Sequence, residues 1–322
     1  MSMSQQSLNP QGSRGPARES RCLIVRGEGY GVVEVSGTDR VKWLHGLTSN
    51  EVKKLRPGEG NYALFITGKG KMIAEAWVLC LEDRFLVVSR PEHRARVAQT
   101  LDRYLLMDDV TLVDASASFR VLGVHGELAT ELLGALLGLE EPPAREGHHT
   151  GSTIRGVAVQ DYGHPGYLIL APPPWTQWKL TEGLPLASEA DLETLRIEHG
   201  IPRWGAELDD ETIPIEAGLE ARAISYDKGC YVGQEIIARI KTYGEVAKKL
   251  WGVRWSGEGV VAPRTAFLRD AADVGWVTSS TVSPTFGSIS LAYVKRGHGE
   301  AGAEVRTSDG RIGALAPLPF AR

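Results

Sequence analysis

One stretch decides how this sequence is interpreted: Lys228-Gly229-Cys230-Tyr231-Val232-Gly233-Gln234-Glu235-Ile236-Ile237-Ala238-Arg239. Gly233 breaks the preceding run, and Gln234-Glu235 suits a first helical turn, where an acid complements the positive end of the helix. Isoleucines at positions 236, 237 and 240 then recur at helical spacing. The stretch therefore predicts a glycine-rich turn followed by a helix that begins near Gln234.

Cys230 lies just before this predicted helix start and two residues after Lys228. A helix N-terminus and a neighbouring cation both lower the pKa of a thiol. Cys230 is therefore a candidate functional thiol, with Lys228 as the cation beside it. The alternative is a buried cysteine in a glycine-rich turn, because free cysteine is among the most buried residue types.

The same stretch resembles the signature K-G-C-Y-x-G-Q-E of the YgfZ-type folate-binding proteins, which are relatives of the glycine-cleavage T-protein, an aminomethyltransferase. The resemblance covers residues 20 to 322 and includes three further segments: Trp43–Val52, Leu195–Pro202 and Asp210–Ala217. It implies a multi-lobed α+β fold of the aminomethyltransferase type, whose domains surround a central folate channel. It also implies tetrahydrofolate or another reduced folate as the cofactor.

The resemblance further implies which residues contact the folate: Glu198, Thr48, Asn50, Tyr226 and Arg239. Glu198 occupies the position of the acid in the R-[LI]-E-x-G motif, which binds the pterin in T-proteins. Without the resemblance, we would interpret Glu198 as a surface acid paired with Arg196 or His199. It falls in the last turn of a helix predicted to start at the capping-box sequence beginning with Ser188, where the helix dipole disfavours an acid. Arg239 or a lysine is expected to meet the glutamate tail.

The pattern of the chain predicts three parts. Residues 1–20 are rich in Ser, Gln, Gly and Pro and contain no apolar core of a signal peptide, so we expect a disordered tail. Residues 21–245 alternate hairpins and helices irregularly, which predicts an α+β region. The resemblance implies that this region forms two interleaved folate-binding lobes. Residues 246–322 contain strand-like runs and no long helix, which predicts a C-terminal antiparallel β-barrel.

Composition limits the classes of function. The net charge is −4, which argues against a general nucleic-acid binder. The three cysteines are far apart and form no CxxC pair, so neither a disulfide framework nor a four-cysteine zinc site is expected, and a reducing cytoplasm fits best. His148-His149 lies in a predicted loop from Glu140 to Gly151 and does not predict a metal site, since neighbouring residues do not face one ion. No apolar run is long enough to span a bilayer, so no membrane partner is expected.

Four functions remain open. The resemblance favours a tetrahydrofolate-binding protein that supports iron–sulfur cluster assembly or repair, including iron–sulfur enzymes that modify tRNA, with iron–sulfur proteins or assembly factors as partners. A single cysteine cannot hold a cluster alone, because such clusters usually take four protein ligands. A Cys230-dependent hydrolase lacks any local signature around the thiol. A pure interaction module would leave Cys230 and Glu198 without a role.

The fourth function is folate-dependent aminomethyl transfer of the glycine-cleavage type. T-proteins carry their catalytic aspartate in an Asp-Asp pair on the strand after a hairpin turn, and Ala74-Glu75 occupies that place in this chain. At least one of the two acids is therefore missing, and T-proteins also lack the K-G-C-Y-x-G-Q-E stretch. Since successive residues of a strand face opposite sides, we expect Glu75 to point away from the side that Ala74 faces. We therefore expect no aminomethyl transfer.

Overall fold

The computed structural model describes residues 22–150, 155–162, 166–173, 186–244 and 246–320. The tail expected over residues 1–20 lies outside the described residues. The described chain forms two five-stranded sheets, followed by a closed six-stranded barrel. This is the α+β architecture with a C-terminal antiparallel barrel that the sequence predicts.

Ten strands precede residue 245: β1 (Leu23–Arg26), β2 (Gly31–Ser36), β3 (Gly60–Ile66), β4 (Met72–Cys80), β5 (Phe85–Ser89), β6 (Thr111–Asp114), β7 (Arg120–His125), β8 (His149–Thr150), β9 (Arg155–Val159) and β10 (Gly166–Ala171). Six strands follow it: β11 (Lys248–Trp255), β12 (Ala266–Arg269), β13 (Ala272–Ser283), β14 (Gly287–Lys295), β15 (Glu304–Thr307) and β16 (Ile312–Ala316). The described α-helices are α1 (Arg40–Leu47), α2 (Arg94–Tyr104), α3 (Ala129–Leu137), α4 (Glu189–Glu198), α5 (Glu220–Ala223) and α6 (Gln234–Tyr243).

The ten strands of the N-terminal part form two five-stranded sheets. One has the strand order β3-β4-β5-β2-β6, and the other has the order β1-β7-β10-β9-β8. Consecutive strands β1 and β2 therefore belong to different sheets. The barrel has the order β11-β14-β13-β12-β15-β16 and closes because β16 pairs with β11.

Three apolar clusters organise the N-terminal part. The central cluster takes side chains from both sheets, among them Trp77 and Leu79 of β4 and Leu168 of β10. A second cluster packs α1 and α2 against the outer face of the β4 sheet, and a third packs α3 against the outer face of the β7 sheet. In β4 the side chains of Glu75, Trp77 and Leu79 face the central cluster. The side chain of Ala74 faces the other side of the sheet, toward α1 and α2.

The C-terminal barrel has its own interior and carries α4 on its outside. Phe267, Val277 and other side chains fill the interior. On the outer surface, Ile197 of α4 packs with Leu291 of β14 and Phe320 after β16. Helix α4 therefore links the N-terminal region to the barrel.

Local signals place the helix starts where the sequence predicts them. The Ser188 hydroxyl accepts from the N–H of Asp191, and both halves of the capping box are present. Gly233 precedes α6 with a φ of +82°, and a Cβ there would lie 2.4 Å from the Thr67 carbonyl oxygen, so glycine is required. The expected loop from Glu140 to Gly151 was partly wrong, because residues 149–150 pair with β9 as β8.

Candidate functional site

Lys228 is buried and binds the end of α1. Its Nζ donates to the carbonyl oxygens of His45 at 2.7 Å, Thr48 at 2.5 Å and Asn50 at 2.8 Å. An ammonium group has three N–H bonds, so all of them point to backbone carbonyls. Burial lowers the pKa of Lys228 to about 7. Lys228 therefore fixes the K-G-C-Y turn to α1 and uses all three of its N–H groups to do so.

Cys230 is exposed, whereas Cys22 and Cys80 are buried. The alternative of a buried cysteine in this turn is therefore wrong. Burial raises the pKa of the Cys22 thiol to about 11 and also raises that of Cys80. Of the three thiols, only Cys230 is presented to solvent, four residues before α6 begins at Gln234.

Thr48 and Asn50 lie in the same contact as Lys228, but their side chains bind the protein's own backbone. The Thr48 hydroxyl donates to the Leu44 carbonyl at 3.0 Å. The Asn50 amide donates to the carbonyl oxygens of Tyr62 at 2.9 Å and Arg222 at 3.4 Å. Folate contact by these two side chains stays a prediction, and their observed role is to hold the turn after α1 against β3 and α5.

Glu198 ends α4 and is buried against the barrel. Its Oε1 accepts a 2.5 Å hydrogen bond from the Ser283 hydroxyl, and its carbonyl oxygen accepts from the Phe320 N–H at 3.0 Å. Its side-chain partner is therefore Ser283, and not Arg196 or His199 as the simpler interpretation expected. Within the described part of the chain, no hydrogen bond reaches Oε2, which leaves one carboxylate oxygen for an N–H donor.

Tyr226 and Arg239 lie in other surroundings. The Tyr226 hydroxyl donates to Glu220 at 2.8 Å, and Lys241 Nζ lies 3.3 Å from the centre of its ring. Tyr226 lines a cavity of about 530 Å³ between the 215–226 segment, α6 and β11. Arg239 is on the exposed face of α6 and pairs with Glu235 at 2.7 Å. The structure thus joins Lys228, Thr48 and Asn50 in one contact, and it places Tyr226 and Arg239 in separate ones.

Sequence reasoning missed a buried network of charges between the two sheets. Glu75 of β4 accepts from the Tyr62 hydroxyl at 2.6 Å and from Arg90 at 2.6 Å. The second Arg90 nitrogen donates to Asp161, after β9, also at 2.6 Å. Burial alone would lower the pKa of Arg90, but the Asp161 and Glu75 carboxylates raise it above its ordinary value.

A second arginine extends the network toward the Asn50 turn. Arg222 of α5 forms a two-nitrogen ion pair with Glu146 and lies 3.6 Å from Asp161. Its guanidinium stacks over the Tyr62 ring with its carbon 4.0 Å from the ring centre. A glutamate within the apolar run of β4 was the one local signal of this network. Its partners come from distant parts of the chain and have no sequence pattern.

Comparison with known proteins agrees with this fold. Residues 19–159 match the GCVT N-terminal domain, and residues 248–315 match the glycine cleavage T-protein C-terminal barrel domain. An aminomethyltransferase of Rubrobacter xylanophilus is 30% identical over 91% of this chain and 81% of its own length. A putative chloroplastic transferase of Arabidopsis thaliana is 29% identical over 94% of this chain and 72% of its own length.

The structure of aminomethyltransferase T from the Bartonella henselae glycine cleavage system superposes with a TM-score of 0.83, at 17% identity, over 94% of this chain and 87% of that one. The fold is therefore that of the aminomethyltransferases. With the two domain matches and the bacterial relative, the chain belongs to the glycine cleavage T-protein family, whose members are folate-dependent aminomethyltransferases and their relatives. No helix in the described residues is long and apolar enough to cross a membrane.

Proposed function

We propose that this protein binds tetrahydrofolate and that Glu198 holds the aminopyrimidine edge of the pterin. The observation that carries the proposal is the buried Glu198 carboxylate, which has one oxygen on Ser283 and the other without a protein donor in the described chain. A carboxylate that accepts from the amino and ring N–H groups of a pterin would form charge-assisted hydrogen bonds. Membership of the T-protein family supports the same ligand.

We propose further that the bound folate serves iron–sulfur cluster assembly or repair, with Cys230 as the functional thiol. The exposure of Cys230 supports this role, because a partner protein or a small thiol can reach it. A cluster would need ligands from such a partner in addition to Cys230. The K-G-C-Y-V-G-Q-E stretch from Lys228 to Glu235 is the sequence feature on which this finer proposal rests.

Aminomethyl transfer is the second candidate, and the names of the relatives fit it at least as well. One acid of the expected pair, Glu75, is present and buried on the central face of β4. Its carboxylate could steer a proton to or from a folate amine, which is the task of a general acid or base. Against this function, Ala74 faces the α1 and α2 side, and both Glu75 oxygens already bind Tyr62 and Arg90.

One pair of assays distinguishes the two functions. The first measures methylenetetrahydrofolate formation from an aminomethyl-loaded lipoyl carrier protein, with wild type, Glu75→Gln and Cys230→Ala. The second measures the activity of iron–sulfur enzymes in cells that depend on this protein. We expect no turnover in the first assay and loss of support with Cys230→Ala in the second. Turnover above about 1 per second that is lost with Glu75→Gln and kept with Cys230→Ala would establish the transferase instead.

A further inference from the structure

The cavity of about 530 Å³ beside α6 is separate from the residues discussed so far for folate and for the thiol, Tyr226 excepted. Neither Glu198 nor Lys228 lines it. In α5, Arg222 points into the network between the sheets, whereas its neighbours Glu220 and Ala221 line the cavity. A volume of this size falls within the range of about 300 to 1,000 Å³ that is usual for small-molecule sites.

The wall of the cavity is apolar and includes an aromatic ring. Ile215, Ala221 and Ile224 supply aliphatic side chains, and Tyr226 supplies the ring. The Tyr226 hydroxyl donates to the Glu220 carboxylate at 2.8 Å, which fixes the position of the ring. Aromatic rings pack favourably against one another in offset or edge-to-face arrangements. The wall therefore favours a ligand that contains an aromatic ring.

Two lysines from different elements give the cavity a positive charge. Nζ of Lys241 in α6 lies 3.3 Å from the centre of the Tyr226 ring and 3.9 Å from the Glu220 carboxylate. Lys249 of β11 also lines the cavity, is exposed, and forms no ion pair within the described residues. The preceding residue, Lys248, points to the other side of the strand, where its Nζ lies 4.2 Å from the centre of the Tyr293 ring. Since Glu220 is the one acid in the lining, one lysine is left for an anionic ligand.

We propose that this cavity is a second ligand site, which binds a small aromatic carboxylate. The ring of the ligand packs against Tyr226 and Ile224, and its carboxylate accepts a charge-assisted hydrogen bond from Lys249. Lys241 adds a second cation at the same cavity. The site goes beyond the proposed folate function, because none of its contacts involves Glu198. It also gives Tyr226 a role in ligand binding that its distance from Glu198 along the fold does not require to be a contact with the pterin.

The test is a titration of the full chain with 4-fluorobenzoate, followed by ¹⁹F nuclear magnetic resonance, with the neutral 4-fluorobenzamide for comparison. We expect the acid to bind with a millimolar dissociation constant and the amide to bind about fivefold more weakly, which is the contribution of an exposed ion pair. Lys249→Met should weaken binding of the acid by the same factor of about five. Ala221→Leu places a larger side chain in the cavity and should weaken binding of the acid at least about tenfold.

The matched controls are Lys42→Met in α1 and Ala95→Leu in α2, both at exposed positions, and each should bind 4-fluorobenzoate as wild type does. Near-ultraviolet circular dichroism checks the fold of every variant. The proposal would be overturned by no binding in wild type, by equal binding of the acid and the amide, or by wild-type affinity in folded Lys249→Met or Ala221→Leu.

A second titration contains saturating tetrahydrofolate and tests whether the site is separate from that of the folate. We expect the affinity for 4-fluorobenzoate to stay within about twofold, because the two ligands occupy different spaces. Displacement of 4-fluorobenzoate by tetrahydrofolate would contradict a second site and would assign the cavity to the folate. The first titration contains no folate, so its result does not depend on whether the folate proposal holds.

Discussion

Arg196 and Glu207 form a buried ion pair, with Nη1 of the arginine 2.8 Å from Oε2 of the glutamate. Ser279 of β13 accepts from the Arg196 Nη2 at 2.7 Å and donates to the other Glu207 oxygen at 2.6 Å. The three side chains fasten α4 to the barrel two residues before Glu198. The position of the Glu198 carboxylate therefore depends on a polar contact between the N-terminal region and the barrel.

We expect Arg196→Met to reduce the free energy of unfolding by about 3 to 5 kcal/mol, because it leaves Glu207 as an uncompensated buried charge. The double variant Arg196→Met/Glu207→Met should recover much of this loss. Urea unfolding measures the free energy of unfolding of the single and the double variant. Arg306→Met is the control, since its pair with Glu304 is exposed and should contribute less than about 1 kcal/mol. A loss for Arg196→Met no larger than that of the control would contradict this account of the α4 contact.

Tyr62→Phe removes a buried hydrogen bond to a charged acceptor. The hydroxyl lies 2.6 Å from Glu75, and loss of such a bond is expected to lower the free energy of unfolding by about 1.5 to 3 kcal/mol. The matched control is Tyr243→Phe at the exposed end of α6. Thermal and urea unfolding compare the two variants with wild type. Equal stability of both would mean that the network between the sheets adds little to folding.

The buried side chain of His149 is expected to make the free energy of unfolding depend on pH. Burial lowers the pKa of this histidine to about 4, against an ordinary value near 6.5. Between these values the unfolded chain binds a proton that the folded chain does not, so the free energy of unfolding falls as pH falls from 6.5 to 4. We expect His149→Gln to remove about 2 kcal/mol of this fall. Urea unfolding of wild type and His149→Gln at pH 7 and pH 4 measures this fall, and an equal fall in the two proteins would contradict the prediction.

The three cysteines should differ in reactivity. At pH 7 we expect iodoacetamide to modify Cys230 at least about tenfold faster than Cys22 or Cys80, since the latter two are buried and have raised pKa values. Cys230→Ala should leave the free energy of unfolding within about 0.5 kcal/mol of wild type, because the side chain is exposed. Peptide mapping by mass spectrometry measures the rates. Faster labelling of Cys22 or Cys80 would remove the case for Cys230 as the functional thiol.

The sequence predicts those parts of the molecule that short-range patterns determine. Ser188 and Gly233 mark helix starts through capping and through a positive φ, and the strand-only pattern after residue 245 predicts the barrel. The sequence does not predict which residues pair with the buried charges. Lys228 appears beside Cys230 in the sequence, yet its ammonium group binds carbonyls about 180 residues away in the chain.

The same limit applies to the candidate site. The position of Glu198 comes from a family motif, but its hydrogen bond to Ser283 depends on the packing of α4 against the barrel. The Arg90 contact with Asp161 joins two sheets and has no local signal. Each of these contacts depends on long-range packing, which residue spacing does not encode.

Titration calorimetry with tetrahydrofolate tests the central claim most directly, on wild type, Glu198→Gln and the exposed control Glu189→Gln from the first turn of α4. The account predicts that wild type and the control bind with equal affinity. Glu198→Gln should bind about 10- to 100-fold more weakly, which corresponds to the loss of about 1.5 to 3 kcal/mol from hydrogen bonds to a charged group. No binding by wild type, or equal affinity in wild type and Glu198→Gln, would contradict the claim that Glu198 binds tetrahydrofolate.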